Sequence, residues 1–529
     1  MTNTIADIET SDMIIVTGSN TTENHPVLSS FAKRAVLKGK KLYLIDPRRV
    51  KIADHAVKWL RPFPGTDIAW INGLMHIIIK ENLHDKTFIE ARTENFEAVR
   101  EVLEKYTPEY VEGITGIKAD DLIEVAIEFA KAPAATILYC MGITQHTSGT
   151  DNVKSLANLS MLCGHLGKPG GGLNPLRGQN NVQGACDMGG LPNVFTAYRP
   201  VNNDDARMGF EKAWQVEGMS ATPGLPVTEM LQKALEGEFK SLYIIGENPL
   251  VSDPDLNHAR KALGKLDLLI VQDIFETETS KVADVVFPAF CFAEKNGTFT
   301  NSERRVQRVR KAVEPPGETK ADWKILCEIA TRMGYAMDYE NSEAVFNELA
   351  ELTPSYHGIN WERIENIGIH WPCPDADHPG TPILHTTQFV RGKGLFHAID
   401  HQPPAEVPDD QYPYILTTGR VLYHYHTGTM TMKTDGLNML SPECFVEISA
   451  GDAKKLGLDS GSFVDVSSRR GKITAKLKVS SKAVDGTIFI PFHFANAAAN
   501  ELTNAKLDPT AKIPELKVCA IKIEPAEAT

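Results

Sequence analysis

The sequence MIIVTGSN (residues 13–20), followed by a helical segment and KLYLIDPR (41–48), decides the fold because its pattern occurs twice. In the second copy, SLYIIGENP (241–249) is followed by a helical segment and DLLIVQDIF (267–275). Short β-rich runs that alternate with helical patterns predict parallel sheets covered by helices. The repeat therefore predicts an α/β protein with two Rossmann-like domains.

The two copies agree in spacing as well as in residue type. Gly18 and Asp46 lie 28 positions apart, and Gly246 and Asp273 lie 27 apart. A glycine at the carboxyl end of a strand lets a phosphate approach backbone N–H groups, and an acidic residue ending the next strand can bind ribose hydroxyls. The pattern predicts two nucleotide half-sites. Neither copy is a complete G-x-G-x-x-G, so a standard NAD site is disfavoured, and two ordinary α/β units remain the alternative.

Composition limits the class of partner. The 529 residues include 55 Lys+Arg and 68 Asp+Glu, a net charge of −13, which argues against a nucleic-acid backbone or an anionic membrane as partner. The longest apolar run, Val285–Ala293, contains a proline and is far shorter than the about 20 residues of a membrane span. The eight cysteines are scattered without a C-x-x-C, and no secretory signal is visible, so we predict a cytoplasmic protein with reduced thiols.

The pattern of predicted secondary structure changes at about residue 395. Short strands separated by Gly, Asp and Pro follow from there, which predicts a separate small β domain, a barrel. Proline-rich stretches at 371–379 and 403–408 are typical of a linker before this domain.

A polar, glycine-rich loop precedes the second copy of the repeat. GKPGGG (167–172) leads into NPLRGQNNVQGACDMG (174–189), which has few large apolar residues and more plausibly lines a site than fills a core. Arg177 is the only cation of the second stretch, and a guanidinium can grip a planar carboxylate with two parallel hydrogen bonds. A surface arginine in a long loop is the equally weighted alternative.

Two other motifs contain candidate ligand-binding residues. His424 and His426 alternate on a predicted strand and would share one face, but no thiol or carboxylate completes a metal site, so we predict a polar, ligand-facing strand. The five cations in NGTFTNSERRVQRVRKAV (296–313) are typical of a solvated face. No G-x-S-x-G or H-E-x-x-H motif supports a hydrolase.

Several of these motifs together resemble a known family. RGQNNVQGACDMG, IVTGSNTTENHPV, QDIFETETSKVADVVFPA, NGTFTNSERRVQRV and TTGRVLYHYHTGTMT resemble the catalytic subunits of molybdenum- or tungsten-dependent formate dehydrogenases, within the dimethyl sulfoxide reductase family of molybdopterin enzymes. The resemblance runs from Met1 to about Ile523. It implies two molybdopterin guanine dinucleotides that clasp one Mo or W, and a C-terminal barrel of the double-psi type.

The resemblance also implies the residues that hold the cofactor. One dinucleotide would contact Gly18, Asn20, His25, Asp46, Arg48, Gly65 and Asp67. The other would contact Gly142, Gln145, Gly246, Asn248 and Asp273. The barrel would close over both with Gly419, Arg420, His424, His426, Gly428, Thr429, Asn500 and Lys517. Arg177 matches the family arginine that orients formate, with Gln179 beside it as a second catalytic position.

The chain departs from the family at its start. A family member carries, upstream of the segment that TNTIADIE resembles, a cysteine motif for a [4Fe-4S] cluster and a selenocysteine or cysteine metal ligand followed by a histidine. None of these is in the sequence, so we expect an N-terminally truncated chain without a metal ligand, inactive by itself, whose iron-sulfur cluster belongs to the missing part. The resemblance further implies formate and carbon dioxide as substrate and product and an iron-sulfur electron-transfer subunit as partner.

The predicted organisation has four segments. Residues 1–180 would form the first dinucleotide-binding domain and 181–290 part of the second, 291–394 a central segment and linker, and 395–529 the dinucleotide-binding barrel. Two alternative functions remain: another molybdopterin oxidoreductase such as a nitrate reductase, and a non-catalytic scaffold like the large iron-sulfur subunit of complex I.

Overall fold

The computed structural model describes residues 1–526. Its strands are β1 Met13–Thr17, β2 Lys41–Ile45, β3 Lys58–Leu60, β4 Thr93–Glu94, β5 Ala135–Tyr139, β6 Gly172–Pro175, β7 Ser241–Ile245, β8 Leu268–Asp273, β9 Val285–Pro288, β10 Gly297–Thr300, β11 Arg305–Val309, β12 Ile369–His370, β13 Gly394–Leu395, β14 Tyr414–Gly419, β15 Phe445–Ile448, β16 Phe463–Ser467, β17 Lys472–Val479, β18 Thr487–Pro491 and β19 Cys519–Pro525.

The α-helices alternate with the strands in the first half of the chain, as the sequence predicts. They are α1 Thr21–Asn24, α2 Pro26–Leu37, α3 Asp67–Lys80, α4 Lys86–Arg92, α5 Phe96–Leu103, α6 Pro108–Thr115, α7 Ala119–Lys131, α8 Met141–Thr144, α9 Gly149–Leu162, α10 Val182–Asp187, α11 Asp204–Trp214, α12 Val227–Glu236, α13 Pro249–Ser252, α14 Leu256–Leu263, α15 Asp322–Arg332, α16 Ser342–Leu352, α17 Asp435–Leu440 and α18 Ala450–Leu456. Among the residues described, no helix is both long and apolar enough to cross a membrane.

The chain divides into two compact units. The first comprises Met1–Leu176, Val251–Asn257 and Ile383 onward, and the second comprises Arg177–Leu250 and His258–Pro382. In the first unit, a parallel sheet has the order β3-β2-β1-β5-β6. Strand β1 is buried on both faces, because Met13 and Ile15 join one hydrophobic core while Ile14 and Val16 join another. This explains its unbroken apolar sequence.

The first unit also contains the predicted C-terminal barrel. Six strands close it in the order β14-β18-β15-β17-β16-β19, with β14 parallel to β18 and β15 parallel to β17. Alternate residues of these strands fill its interior, mainly with Val, Ile and Leu side chains. Strands β14 and β18 run side by side and end together, since Gly419 pairs with Pro491. The loops that follow both strands therefore leave the barrel at the same edge.

The second unit repeats the beginning of the first sheet. Its parallel strands have the order β7-β8-β9, which matches β1-β2-β3, and a separate sheet has the order β10-β11-β12. Gly18 and Gly246, which follow β1 and β7, share a left-handed backbone with φ of +55° and +64°. The mixed α/β class, the repeat and the barrel are thus confirmed, while the division into four segments stays a prediction.

Candidate functional site

The carboxyl edge of the first sheet brings together residues predicted for both dinucleotides, Gly18 and Asp46 for one and Gly142 for the other. Gly18, Asp46 and Gly142 lie just after β1, β2 and β5. The amide of Gly142 donates to the Gly18 carbonyl at 3.0 Å, and a Cβ on Gly142 would lie 2.5 Å from the Gly18 Cα. The strand order changes direction between β1 and β5, which is where open α/β sheets form their ligand crevice.

Oppositely charged side chains are buried at this edge. Burial raises the pKa of Asp46 to about 6, although Arg48 and Lys517 oppose the rise, and its Oδ1 accepts from the Arg48 backbone N–H at 2.9 Å. Burial also lowers the pKa of Lys517 to about 8, and its ammonium donates to the Thr418 carbonyl at 2.6 Å. Burial likewise lowers the pKa of Arg420. A cationic pocket beside an acidic strand end suits a nucleotide's phosphates and ribose.

A buried ion pair joins this edge to the barrel. Arg48 Nη2 lies 2.6 Å from Oε1 of Glu447 in β15, and the two side chains are 12% and 3% exposed. The Arg48 guanidinium also stacks over the Phe489 ring of β18, 3.4 Å from its centroid. Arg48 is therefore fixed from two sides by barrel residues.

The predicted residues around Asp67 border the same crevice. Burial raises the pKa of Asp67, the first residue of α3, to about 7, and the nearby Asp46 adds to the rise. Its Oδ2 lies 3.8 Å from Nε2 of His146, which donates to the Gly142 carbonyl at 2.9 Å. Gly65 precedes α3, and Gln145 precedes His146. His146 was not predicted, because an isolated histidine after a glutamine gives no pattern.

The helix after β1 carries two further predicted residues. Asn20 precedes α1, and its Nδ2 donates to Glu23 at 2.9 Å. His25 precedes α2, which begins at a proline. Both side chains are half-buried near the Gly18 turn.

The histidine motif of the barrel differs from its prediction. His424 and His426 lie in a loop that begins after β14 ends at Gly419, so the predicted strand alternation is wrong. His424 is buried, with Nε2 bonded to the Ser441 carbonyl at 2.7 Å and Nδ1 near Thr431 Oγ1 at 3.3 Å. Within residues 1–526, no group of three or more His, Cys, Asp or Glu is placed to hold a metal ion.

Gly428 and Thr429 lie in the same loop, and Asn500 lies elsewhere in the barrel domain. Gly428 is buried and Thr429 Oγ1 lies 3.0 Å from Thr427 Oγ1. Asn500 is buried and donates to the carbonyls of Val251 and Ser252 at 3.1 and 2.8 Å. These bonds anchor the 251–257 segment to the barrel within the first unit.

The second half-site lies in the second unit. Gly246 and Asp273 follow β7 and end β8, and burial raises the pKa of Asp273. The Asn248 side chain hydrogen-bonds to two residues that follow β8. Its Oδ1 accepts from Thr279 Oγ1 at 2.7 Å, and its Nδ2 donates to Glu278 at 2.8 Å. Asn248 therefore shapes the turn after β7 through these contacts.

The loop that carries Arg177 and Gln179 leads into α10, where a buried carboxylate lies at the end of the helix. Asp187 accepts from Tyr198 at 2.7 Å, from Tyr356 at 2.8 Å and from Gln183 at 2.8 Å. Its pKa is raised by burial, which these donors oppose. Arg177 is half-buried and hydrogen-bonds to Cys186, one residue before this carboxylate.

A buried arginine in the same unit corrects a second expectation. Arg304, part of the cation run predicted to be solvated, is buried and donates to the Trp371, Thr381 and Pro382 carbonyls. It forms the turn between β10 and β11. Residues 371–379 lie within the second unit, where Arg304 contacts the Trp371 carbonyl.

Unpaired buried polar atoms test whether the first crevice fits a dinucleotide. Within the described chain, Asn20 Oδ1 and Arg48 Nε, which lie next to the Gly18 and Asp46 strand ends, are buried without a hydrogen-bond partner. Buried polar atoms are normally paired, so such atoms indicate a missing polar ligand. With the close glycine contact and the cations around Asp46, they fit a phosphorylated nucleotide.

The fold and this site fit the class of nucleotide-binding proteins that combine a parallel α/β sheet with a closed barrel. The chain matches the molybdopterin oxidoreductase family over residues 1–332 and the molybdopterin dinucleotide binding domain over residues 414–520. The chain belongs to the molybdopterin oxidoreductase family.

Relatives agree with this assignment. The F420-dependent formate dehydrogenase subunit alpha of Methanocaldococcus jannaschii is 51% identical over 528 residues, which are 99% of this chain and 78% of that protein. Formate dehydrogenase H of Escherichia coli is 42% identical over 99% of this chain and 74% of its own length. The family predicted from the motifs is thereby confirmed.

A solved structure agrees in fold. Acetylene hydratase from Pelobacter acetylenicus superposes with a TM-score of 0.77 at 21% identity, covering 99% of this chain and 79% of its own. At this identity the likeness concerns the fold alone.

Proposed function

We propose that this chain is the catalytic subunit of a formate dehydrogenase, which oxidises formate to carbon dioxide, a proton and two electrons or runs the reverse reaction. The observation that carries the proposal is the 51% identity, over 99% of the chain, to a formate dehydrogenase alpha subunit. Relatives from Methanocaldococcus jannaschii, Methanococcus maripaludis and Escherichia coli carry that activity in their names.

Arg177 is the proposed formate-binding residue. Formate is a small planar carboxylate, and a guanidinium can hold its two oxygens in one orientation. This pairing neutralises the substrate charge in a water-poor site and directs the C–H bond away from the arginine. Gln179, two residues further on, supplies a neutral donor and acceptor beside the carboxylate. The loop leads into α10, whose last residue, the buried Asp187, is held by Tyr198 and Tyr356, and this favours a fixed arginine.

The proposed cofactor is a pair of molybdopterin guanine dinucleotides with molybdenum or tungsten. When bound, this group accepts the two electrons of formate. Asp46, Arg48 and Lys517 would bind the nucleotide portion of one dinucleotide, and Gly246 and Asp273 the other. The role of the chain is to bind and orient, and the cations around Asp46 offset the phosphate charge.

The electrons would leave through an iron-sulfur partner subunit. The names of three relatives include F420, which makes this deazaflavin a candidate final acceptor. We propose a cytoplasmic location, as for the sequence prediction. Formate-dependent reduction of F420, compared with reduction of a viologen dye, would distinguish a dedicated F420 route from a general one.

The test is substrate turnover by the full protein from its native host, loaded with cofactor, with formate and nitrate as alternative substrates. Formate oxidation without nitrate reduction supports the proposal. Nitrate turnover would favour another oxidoreductase of the family, and a protein without Mo or W would favour the scaffold alternative.

A charge-conserving variant tests the arginine. Arg177→Lys keeps the charge but loses the bidentate geometry, so we expect the KM for formate to rise by about tenfold or more. The matched control is Arg207→Lys, because Arg207 is also half-buried in the same unit and pairs with the exposed Asp204. An unchanged KM for formate in Arg177→Lys would refute the assigned role.

A further inference from the structure

His493 bridges the two ends of the loop that carries His424 and His426. Its Nε2 lies 3.0 Å from the backbone nitrogen of Val421, and its Nδ1 contacts the backbone oxygen of His426. Because a backbone N–H can only donate and a carbonyl can only accept, Nε2 must be the bare nitrogen and Nδ1 must carry the proton. Both polar atoms of one neutral imidazole are thus committed to the same loop.

The topology explains how this contact arises. His493 follows β18 and the loop follows β14, and these parallel strands end together at one edge of the barrel. The imidazole is fully buried, stacks on Phe492 at 4.8 Å and lies edge-on to Phe494 at 6.3 Å. Packing on the two phenylalanines therefore fixes the orientation of the ring, and the two hydrogen bonds of the ring fix the backbone of the loop.

The surroundings keep this histidine neutral. Burial lowers its pKa to about 3, and the neighbouring His424, Arg420 and His426 add to the fall. A protonated ring would lose the acceptor for the Val421 N–H, so neutrality preserves both hydrogen bonds. The three charged or titratable groups that add to this fall, His424, Arg420 and His426, belong to the loop that His493 contacts.

We propose that His493 is a positioning residue that holds the Arg420–His426 segment in the conformation that binds the dinucleotide. The inference rests on the proposed function, because it assumes that Arg420, His424 and His426 contact the cofactor. Both ring nitrogens of His493 bond to the backbone of this loop. His493 therefore acts on the ligand by fixing the backbone from which those side chains extend, and without it the loop would sample other conformations.

Three substitutions separate the two hydrogen bonds. In His493→Asn the amide can still donate to the His426 carbonyl, while in His493→Gln the amide oxygen can still accept from the Val421 N–H. His493→Phe preserves ring packing and removes both bonds. We expect loop order and dinucleotide content to be lowest in the Phe variant and intermediate in the other two.

Trypsin provides a readout that does not depend on turnover. Cleavage after Arg420 requires local opening of the loop and releases a fragment that begins at Val421, which mass spectrometry identifies. We expect the full-length protein, isolated with its cofactor, to be cut there about tenfold faster in His493→Phe than in wild type. The guanosine monophosphate released by acid hydrolysis measures the bound dinucleotide in the same samples.

A second buried histidine provides the matched control. His165 is also buried and neutral, and its Nε2 bonds to the Phe129 carbonyl at 2.9 Å, in the α/β part of the first unit. His165→Phe should lower the thermal midpoint without faster cleavage after Arg420 or loss of nucleotide. A purely structural role for His493 would give the two Phe variants the same pattern.

The outcomes distinguish failure of the positioning role of His493 from failure of the proposed function. Faster cleavage after Arg420 with reduced nucleotide in the His493 variants, partly restored in Asn or Gln, supports the positioning role. Wild-type cleavage and nucleotide content in all three variants would overturn it and leave the proposed function intact. Wild-type protein without any nucleotide would overturn the proposed function and this inference with it. If His493→Phe does not fold, cleavage after Arg420 and nucleotide content in the Asn and Gln variants test the positioning role.

Discussion

The ion pair between Arg48 and Glu447 makes the strongest stability prediction. Both side chains are nearly buried, and the closest nitrogen and oxygen are 2.6 Å apart. Glu447→Gln keeps the shape but removes the negative charge, which leaves the Arg48 cation buried without its counter-charge. Loss of one partner of a buried pair costs about 3 kcal/mol or more. The stacking of Arg48 on Phe489 is unchanged by this substitution.

Hydrogen–deuterium exchange measures this loss locally, which avoids treating a multidomain chain as two-state. A cost of about 3 kcal/mol corresponds to about 150-fold faster exchange in peptides that cover β2 and β15. The matched control is Glu443→Gln, whose partner Lys476 lies 2.9 Å away with the pair 44% and 43% exposed. An exposed pair contributes less than about 1 kcal/mol, so exchange should rise less than about fivefold.

The reasoning would be refuted if the two glutamine variants exchanged at similar rates in these peptides. Such a result would mean that water or a rearranged side chain compensates the Arg48 charge. The double variant with Arg48→Met should recover part of the loss, because it removes the uncompensated charge as well.

Three further outcomes follow from the described contacts. Gly142→Ala should destabilise the first unit by several kcal/mol and abolish nucleotide retention, because its Cβ would collide with Gly18, whereas Gly113→Ala, in open space on a helix, should be neutral or stabilising by about 1 kcal/mol; calorimetry and nucleotide analysis check both. His165, whose pKa burial lowers to about 4, stays neutral when folded while the unfolded histidine binds a proton near pH 6.5. Its contribution is therefore present above pH 6.5 and lost as the pH falls, so the stability advantage of wild type over His165→Gln should shrink by about 2 kcal/mol between pH 7 and pH 5, and a pH-independent difference would contradict this. Asp187→Asn should cost about 3 kcal/mol in urea denaturation, because it places an amide donor among the hydroxyl donors that now face a carboxylate, and a loss under 1 kcal/mol would count against the buried network.

Sequence reasoning succeeded where the fold imposes a local pattern. Gly18 and Asp46 follow directly after buried parallel strands. At such positions an apolar run is interrupted by a glycine or an acidic residue, which rarely occurs inside a buried strand. The same holds for Gly246 and Asp273, whose spacing repeats the first copy. The barrel strands were found because Gly, Asp and Pro separate short β-branched runs.

The misses have a common physical origin. His424 and His426 alternate like strand residues, but Gly419 ends the strand before them and tertiary hydrogen bonds set the loop. His493 and Asp187 each depend on partners far away in the sequence, so no local spacing marks them. Arg304 reads as one cation of a surface run, although three distant carbonyls hold it in the interior.

The Arg48–Glu447 contact joins residues 399 positions apart. At a translation rate of about 5–20 residues per second, Arg48 leaves the ribosome about 20–80 s before its carboxylate exists. During that interval the carboxyl edge of the first sheet has no barrel to cover it, so the crevice is assembled late. Under the proposed function, a nucleotide can therefore be held between this edge and the barrel only after the barrel has been translated.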